Sequence, residues 1–530
     1  MNPVVRILSH ASADHVVYDG RPLLIHVAAH SDQPYTVQAS ALFQGAEVVS
    51  RTLLPEVQDY SSRVPVECYQ LAIPADRYHA GGSLAIVAYA GGSGGESTDT
   101  TTIRVFQPYD LTQDVGSTVD LRGALVAAVG HSGSHIRIRF VASATYVFPS
   151  KSDPLYSQFD LSSADGKLVT FEPASGVEAQ IQADSPPLVK RAIWKGLAFT
   201  GSATHGTTLT VTGIHTFISC RFSNTQATGR TLGLWAEQGA RVKLTNCFFD
   251  ALSSGCHGVE VIRGAFWRQL SGIVFSNTLR VLEGTTGYGL AASGSWPCLW
   301  ARWDVGASPF VRYNIAVDLS APVLSVQGAG WSSAAVVGNV WNTAAASGVS
   351  VQGKLAACYW AHNSVRTDPV LGASFTAQSD GIVGGVYVNN YFTRLDPTHR
   401  SVASGNLWDF NATESANGSG PKSLSSVVPG FSSKYLVVSA SSSLLRAGSP
   451  QPGVSKAFGF LPYQNQIGAM PYVSDANLVK QMQQVLRLID YGVTTHDSLE
   501  GDFTAPNPGS GLGGQLSFVD GTQSGWLAVV

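Results

Sequence analysis

The sequence predicts an all-β protein whose middle, roughly residues 190 to 410, is a right-handed parallel β-helix solenoid. A β-sandwich is expected before it and a short helix and strand extension after it. Three observations carry this. Apolar-alternating runs recur with a period in the mid-twenties, and an aromatic residue closes each unit. Only 13% of the 530 residues are charged while 55 are glycine, which suits short strands and tight turns better than helices with solvated faces.

The clearest repeat is Leu324-Ser325-Val326-Gln327-Gly328, echoed 25 residues later by Val349-Ser350-Val351-Gln352-Gly353. Closing aromatics stand at Phe222, Phe249, Phe275 and Trp303, in steps of 27, 26 and 28 residues. They return at Trp341, Phe392 and Trp408, usually after Asn or Cys, and the step of 38 from Trp303 to Trp341 fits a loop insertion. One unit cannot bury its apolar side alone, so each is expected to stack on the last, ~4.8 Å apart as strands are in a sheet. Residues one period apart then form ladders, with Cys220 against Cys247 and Phe222 against Phe249 facing inward. Gly213, Gly239 and Gly264 suit sharp corners between strands. Registering Gly239 on Gly264 stacks Glu260 on Trp235.

Residues 1–112 read as a separate unit. PLLIHVAAHS, YTVQASALFQ, CYQLAIPA and GSLAIVAYA alternate like strands between turn clusters. About seven such runs resemble an immunoglobulin-like sandwich, with GGSGGESTDTT as an exposed hairpin loop. Residues 113–470 hold the solenoid with its caps, and 471–530 form the extension. There, Ser474 or Asp475 is placed to cap a helix through ANLVKQMQQVLRLID, ended by Gly492, with Leu478, Met482, Val485 and Ile489 on one face. Such a helix would cover the open end of the solenoid.

Beyond the period, residues 120 to 470 resemble the pectate-lyase-like superfamily of right-handed β-helix proteins. ALVAAVGHSGSHIRIRFVASATYVF, KLVTFEPASGVEAQIQ and IWKGLAFTG look like its capping region and first coils. GNLWDFN, SSVVPGFSSKYLVVSASSSLLRAGSPQPG and QNQIGAM look like its closing coil, with a Pro-Gly-Phe turn and an Ile-Gly-Ala. The resemblance speaks for a fold that hosts lyases, hydrolases and non-enzymes alike. Within it, the chain is most similar to phage tailspikes and related virion surface proteins, which implies a homotrimer or other virion proteins as partners.

Composition narrows the function. A net charge of -3 gives no basic field, so nucleic acid is not an expected partner. No run of ~20 apolar residues predicts membrane insertion, and the first residues do not resemble a signal peptide. The expectation is synthesis in the cytoplasm without a leader, and work on a virion or extracellular assembly. Six cysteines occur, at 68, 220, 247, 256, 298 and 358, with no CxxC pair or zinc-like spacing to His. They read as small buried hydrophobes; neither a metal nor a cofactor is expected.

A polysaccharide hydrolase needs two facing carboxylates, and a lyase needs Ca²⁺-binding acids with a base. Residues 190 to 410 contain no Asp-Asp, Asp-x-Asp or Asn-x-Asp. The nearest approach to a catalytic set is Asp250, His257 and Glu260, and no catalytic assignment is made from it. For glycan binding the candidates are Trp235, Trp296 and Trp331, whose ring faces suit sugar C–H surfaces, and Arg263 for an anionic group. Trp303, Trp341 and Trp408 read as core. The function expected is a non-enzymatic virion or surface protein of tailspike or decoration type, binding a host polysaccharide. The alternatives are a polysaccharide lyase or glycoside hydrolase acting in a groove of the helix, and a passive assembly scaffold.

Overall fold

The computed structural model describes residues 3 to 469 apart from interruptions, the longest being 55–66, 262–281, 289–298, 396–405 and 449–466. The extension expected from 471 onward, with its helix, lies outside the described residues, as do Phe275 and Trp303. The protein is mostly β-structure, with several parallel sheets. Among the described residues no helix is long and apolar enough to cross a membrane.

Before residue 107 the pairing is mainly antiparallel. Val4–Ile7, Leu23–His30 and Glu67–Ile73 form one sheet. His15–Val17, Tyr35–Phe43, Ala46–Leu53, Gly82–Gly92 and Gly95–Phe106 form another. Period-2 alternation decides which face is buried. In Gly82–Gly92, for example, Leu84, Ile86, Ala88 and Ala90 are buried. They share one core with Val5, Ile25, Val27, Leu71 and Ile73 of the other sheet. The stretch expected as an exposed hairpin loop is instead a tight hairpin: Gly92 pairs with Gly95 across Ser93-Gly94, and residues 95–101 belong to the strand Gly95–Phe106.

From Leu111 onward the strands pair in parallel. Among the described residues one sheet has twelve strands, from Leu111–Val115 to Leu407–Asp409. A second has eleven, from Thr145–Val147 to Ala412–Thr413, and a third has seven, from Thr207–Val211 to Phe375–Ala377. Between 207 and 377 the chain visits the three in rotation, each strand pairing with the one laid down a circuit earlier. The 25-residue repeat is one such circuit, since Leu324, Ser325 and Val326 pair with Val349, Ser350 and Val351. Phe222 likewise pairs with Phe249. At Gly213, φ is +90° and a Cβ would lie 2.4 Å from the Lys190 carbonyl oxygen, so this corner requires glycine.

The closing aromatics divide between two buried rows. Phe222, Trp341 and Phe392 belong to the eleven-stranded sheet, where Phe199 stacks on Phe222 at 5.0 Å. Trp408 belongs to the twelve-stranded sheet instead, stacked on Tyr387 at 4.0 Å. At the other end of that sheet Phe171 stacks on Trp194 at 4.2 Å, and the Trp194 indole donates to His215 Nδ1 at 3.0 Å. These rows merge into a continuous apolar core from Val115 to Trp408.

From Lys195 onward the chain turns from the twelve- to the eleven-stranded sheet in two residues. The first is left-handed: Gly196, Ser219, Gly338, His362, Asn389 and Phe410 all have φ between 50° and 66°. The second is buried, and runs Leu197, Cys220, Cys247, then Asn339, Asn363, Asn390 and Asn411. The asparagines bond one to the next. Asn339 Nδ2 donates to Asn363 Oδ1 at 2.8 Å, Asn363 Nδ2 to Asn390 Oδ1 at 2.9 Å, and Asn390 Nδ2 to Asn411 Oδ1 at 3.0 Å. The side-chain amides of Asn363, Asn390 and Asn411 also reach back to strand carbonyls, of Val336 at 2.8 Å, Trp360 at 2.9 Å and Tyr387 at 2.7 Å.

Thr118–Gly130 is the α-helix among the described residues, in the segment that the sequence leaves as an unspecified cap. Ser117 Oγ accepts the Asp120 amide at 3.2 Å, an N-cap that satisfies one of its orphan donors. Its Leu121, Ala124, Leu125 and Ala128 close the start of the parallel core. At the far end the Pro-Gly-Phe turn sets Phe431 edge-on to Tyr391 at 4.8 Å. The Ile-Gly-Ala segment returns there too, with the Gly468 amide on the Asn389 carbonyl and the Ala469 amide on Ser364 Oγ, both at 2.8 Å.

The N-terminal strands meet the outer face of the twelve-stranded sheet through a small apolar cluster of Phe106, Leu168 and Ile193 with Val17 and Ile218. Beside it His135 is fully buried, its ring between the Gln107 carbonyl (2.8 Å) and Thr170 Oγ1 (2.9 Å). Asp110 accepts from the amides of Ser134 (2.6 Å) and His135 (2.8 Å).

Candidate functional site

The third sheet carries three of the seven residues singled out for chemistry. Thr231–Ala236 contains Trp235, and Cys256–Val261 contains His257 and Glu260. The two strands pair with Trp235 opposite Glu260 and Leu232 opposite His257. Leu299–Ala301 follows, and it sets Trp300 against the other side of Glu260. Glu260 therefore lies between two tryptophan positions, one on each neighbouring strand.

The row continues in both directions with small hydroxyl residues. Thr210 pairs with Trp235, and Ser325, Ser350 and Thr376 follow Trp300 in order. Burial separates this row from those beside it. Leu209, Leu234, Leu324, Val349 and Phe375 on one side are fully buried, and so are Val211, Val326 and Val351 on the other. Ser350 and Thr376, within the row, are half-buried. Alternation along a strand accounts for this difference.

The structure separates the three residues of the nearest catalytic approach. Asp250 ends Phe248–Asp250 in the eleven-stranded sheet, paired with Ser223 and Tyr288. His257 and Glu260 share a strand of the seven-stranded sheet but are three residues apart, and positions three apart on a strand alternate in face. Trp331 begins Trp331–Ser332 and pairs with Leu355, which pairs in turn with Ile382, both of them buried. Trp296 and Arg263 lie outside the described residues. Trp341 and Trp408 are buried core residues.

Several charges elsewhere are internally paired. Arg139 holds Asp114 by two bonds, at 2.8 and 2.7 Å, and this keeps the Asp114 carboxyl below its usual range. Glu172 is shared between Arg137 and Lys195. Burial pushes the Cys220 thiol well up, so it packs rather than reacts. Among the described residues no three His, Cys, Asp or Glu side chains gather as ligands for a metal ion.

Trp300 is the member of the row that sequence periodicity does not single out. It stands 40 residues after Glu260, whereas Trp235 stands 25 before it. The additional residues fall between the two strands, so counting by the period lands on no equivalent position. No family model matches this chain, and no curated protein matches it.

Proposed function

We propose that the parallel region is a right-handed parallel β-helix and that the protein is a non-catalytic virion or surface component of the tailspike or decoration type. On this reading it binds a host polysaccharide along its seven-stranded sheet, and the immunoglobulin-like N-terminal unit spaces or docks it. The observation that carries the binding role is the Trp235–Glu260–Trp300 row. Tryptophan and hydroxyl-residue positions in register along paired strands suit the C–H faces and hydroxyls of a linear glycan. That row holds a single carboxylate position among the described residues, which favours binding over glycoside cleavage.

Affinity electrophoresis through gels cast with bacterial and plant polysaccharides tests this. At least one polysaccharide should retard the protein, and Trp235→Ala or Trp300→Ala should abolish the retardation while the melting temperature holds. Unretarded migration with every polysaccharide would leave only the passive scaffold.

A further inference from the structure

The Trp235–Glu260–Trp300 row is more selective than a general sugar platform. Adjacent strands lie ~4.8 Å apart, so the two tryptophan positions are about 10 Å from each other with a carboxylate position midway. Within the three strands, TLGLWA, CHGVEV and LWA, Glu260 is the only acidic residue and there is no Lys or Arg. Two tryptophan positions with a carboxylate position between them favour a cation. A neutral sugar would use the indoles and could donate a hydroxyl to the carboxylate, but an ammonium group adds charge to that same bond. A uronate or other acidic sugar would be repelled by it.

We propose that this row binds a polysaccharide bearing free, protonated amino groups, a deacetylated hexosamine polymer, with one ammonium group on Glu260 and its neighbouring rings on Trp235 and Trp300. This rests on the glycan-binding reading above and names the class of glycan. Thr210 and Ser325, the next positions on either side, extend the line with hydroxyl groups of the kind that bond sugar hydroxyls. That makes a chain of sugars a better fit than an isolated amine.

Titration calorimetry on the full chain at mildly acidic pH tests it, with three probes: glucosamine oligomers, their fully N-acetylated counterparts, and oligolysine of similar charge. Glucosamine oligomers should bind about tenfold more tightly than the acetylated ones, the scale of one desolvated cation–π and charge contact. Glu260→Gln should erase that preference, and Trp235→Ala should weaken both sugars. Circular dichroism melts would establish that each variant is folded. Equal binding of both sugars, lost in Trp235→Ala, would overturn the amino-sugar assignment and leave the glycan reading standing. Oligolysine binding as tightly as glucosamine oligomers would overturn the assignment to a sugar. Binding of none of the three, with retardation by other polysaccharides, would overturn the inference alone; absence of both would overturn the two readings together.

Discussion

His135 shows how one buried side chain ties the acidic stability of the protein to the seam between its antiparallel and parallel parts. Desolvation holds its imidazole below the ordinary histidine value, outweighing the bond to the Gln107 carbonyl and the nearby Asp110 and Glu172 charges. Tyr109, whose ring lies 4.6 Å from the imidazole, and Lys195 complete its surroundings. The folded protein therefore takes up this proton less readily than the unfolded chain. Its contribution to stability is complete above about pH 6.5 and is lost as pH falls through that value toward the depressed folded one. Asp110 works in a separate window. Its carboxyl is lowered by the His135 and Ser134 amides, so its contribution stands above about pH 3.9 and fails only below it. Melting temperatures from pH 8 to pH 5 should fall less steeply for His135→Gln than for the parent, and equal slopes would rule out this account of the residue.

At the scale of the element, the two-residue turn is what makes circuits stack. A left-handed residue turns the chain from one sheet to the next, and the buried residue after it, where it is asparagine, bonds to its counterpart on the next circuit. Asn363 is the middle rung: its Oδ1 accepts from the Asn339 amide and side chain, and its Nδ2 donates to Val336 and Asn390. Truncating it orphans at least one buried donor and one buried acceptor, each worth ~1–3 kcal/mol, so Asn363→Ala should cost about 3 kcal/mol or more in urea unfolding. A loss below about 1 kcal/mol would mean that the ladder is not a stabilising element. The sequence displays half of this device. Asn or Cys before the closing aromatic is visible as a recurring letter, because only side chains that bond or pack along the axis fit there. The left-handed residue is not visible, since Gly, Ser, His, Asn and Phe all occupy it. The position is set by the turn geometry and not by one residue type.

For the whole molecule, periodicity made the middle legible and also limited it. A shift of 25 residues places Leu324 on Val349 and Trp235 on Glu260, and both pairings are found. Asp250 and Glu260, close in sequence, fall in different sheets because a corner of the circuit lies between them. Trp408 lies in a different row from Phe222 because both sheets close with an aromatic. The helix Thr118–Gly130 is not legible in the sequence because the exposed Val119 and Val126 lie opposite its buried Leu121, Ala124, Leu125 and Ala128 and blur the apolar stripe. Its face is chosen by the open core that it covers. The same alternation that buries two rows of the seven-stranded sheet leaves Ser350 and Thr376 half-buried between them, and it is on this row that binding without turnover is proposed.

The most direct test of that claim is prolonged incubation of the purified full chain with the polysaccharides that retard it, following reducing ends and the ultraviolet absorbance of unsaturated uronates. The account predicts that bound polysaccharide is recovered uncut. Accumulating product that disappears in Glu260→Ala or Asp250→Ala would contradict it and make the protein an enzyme.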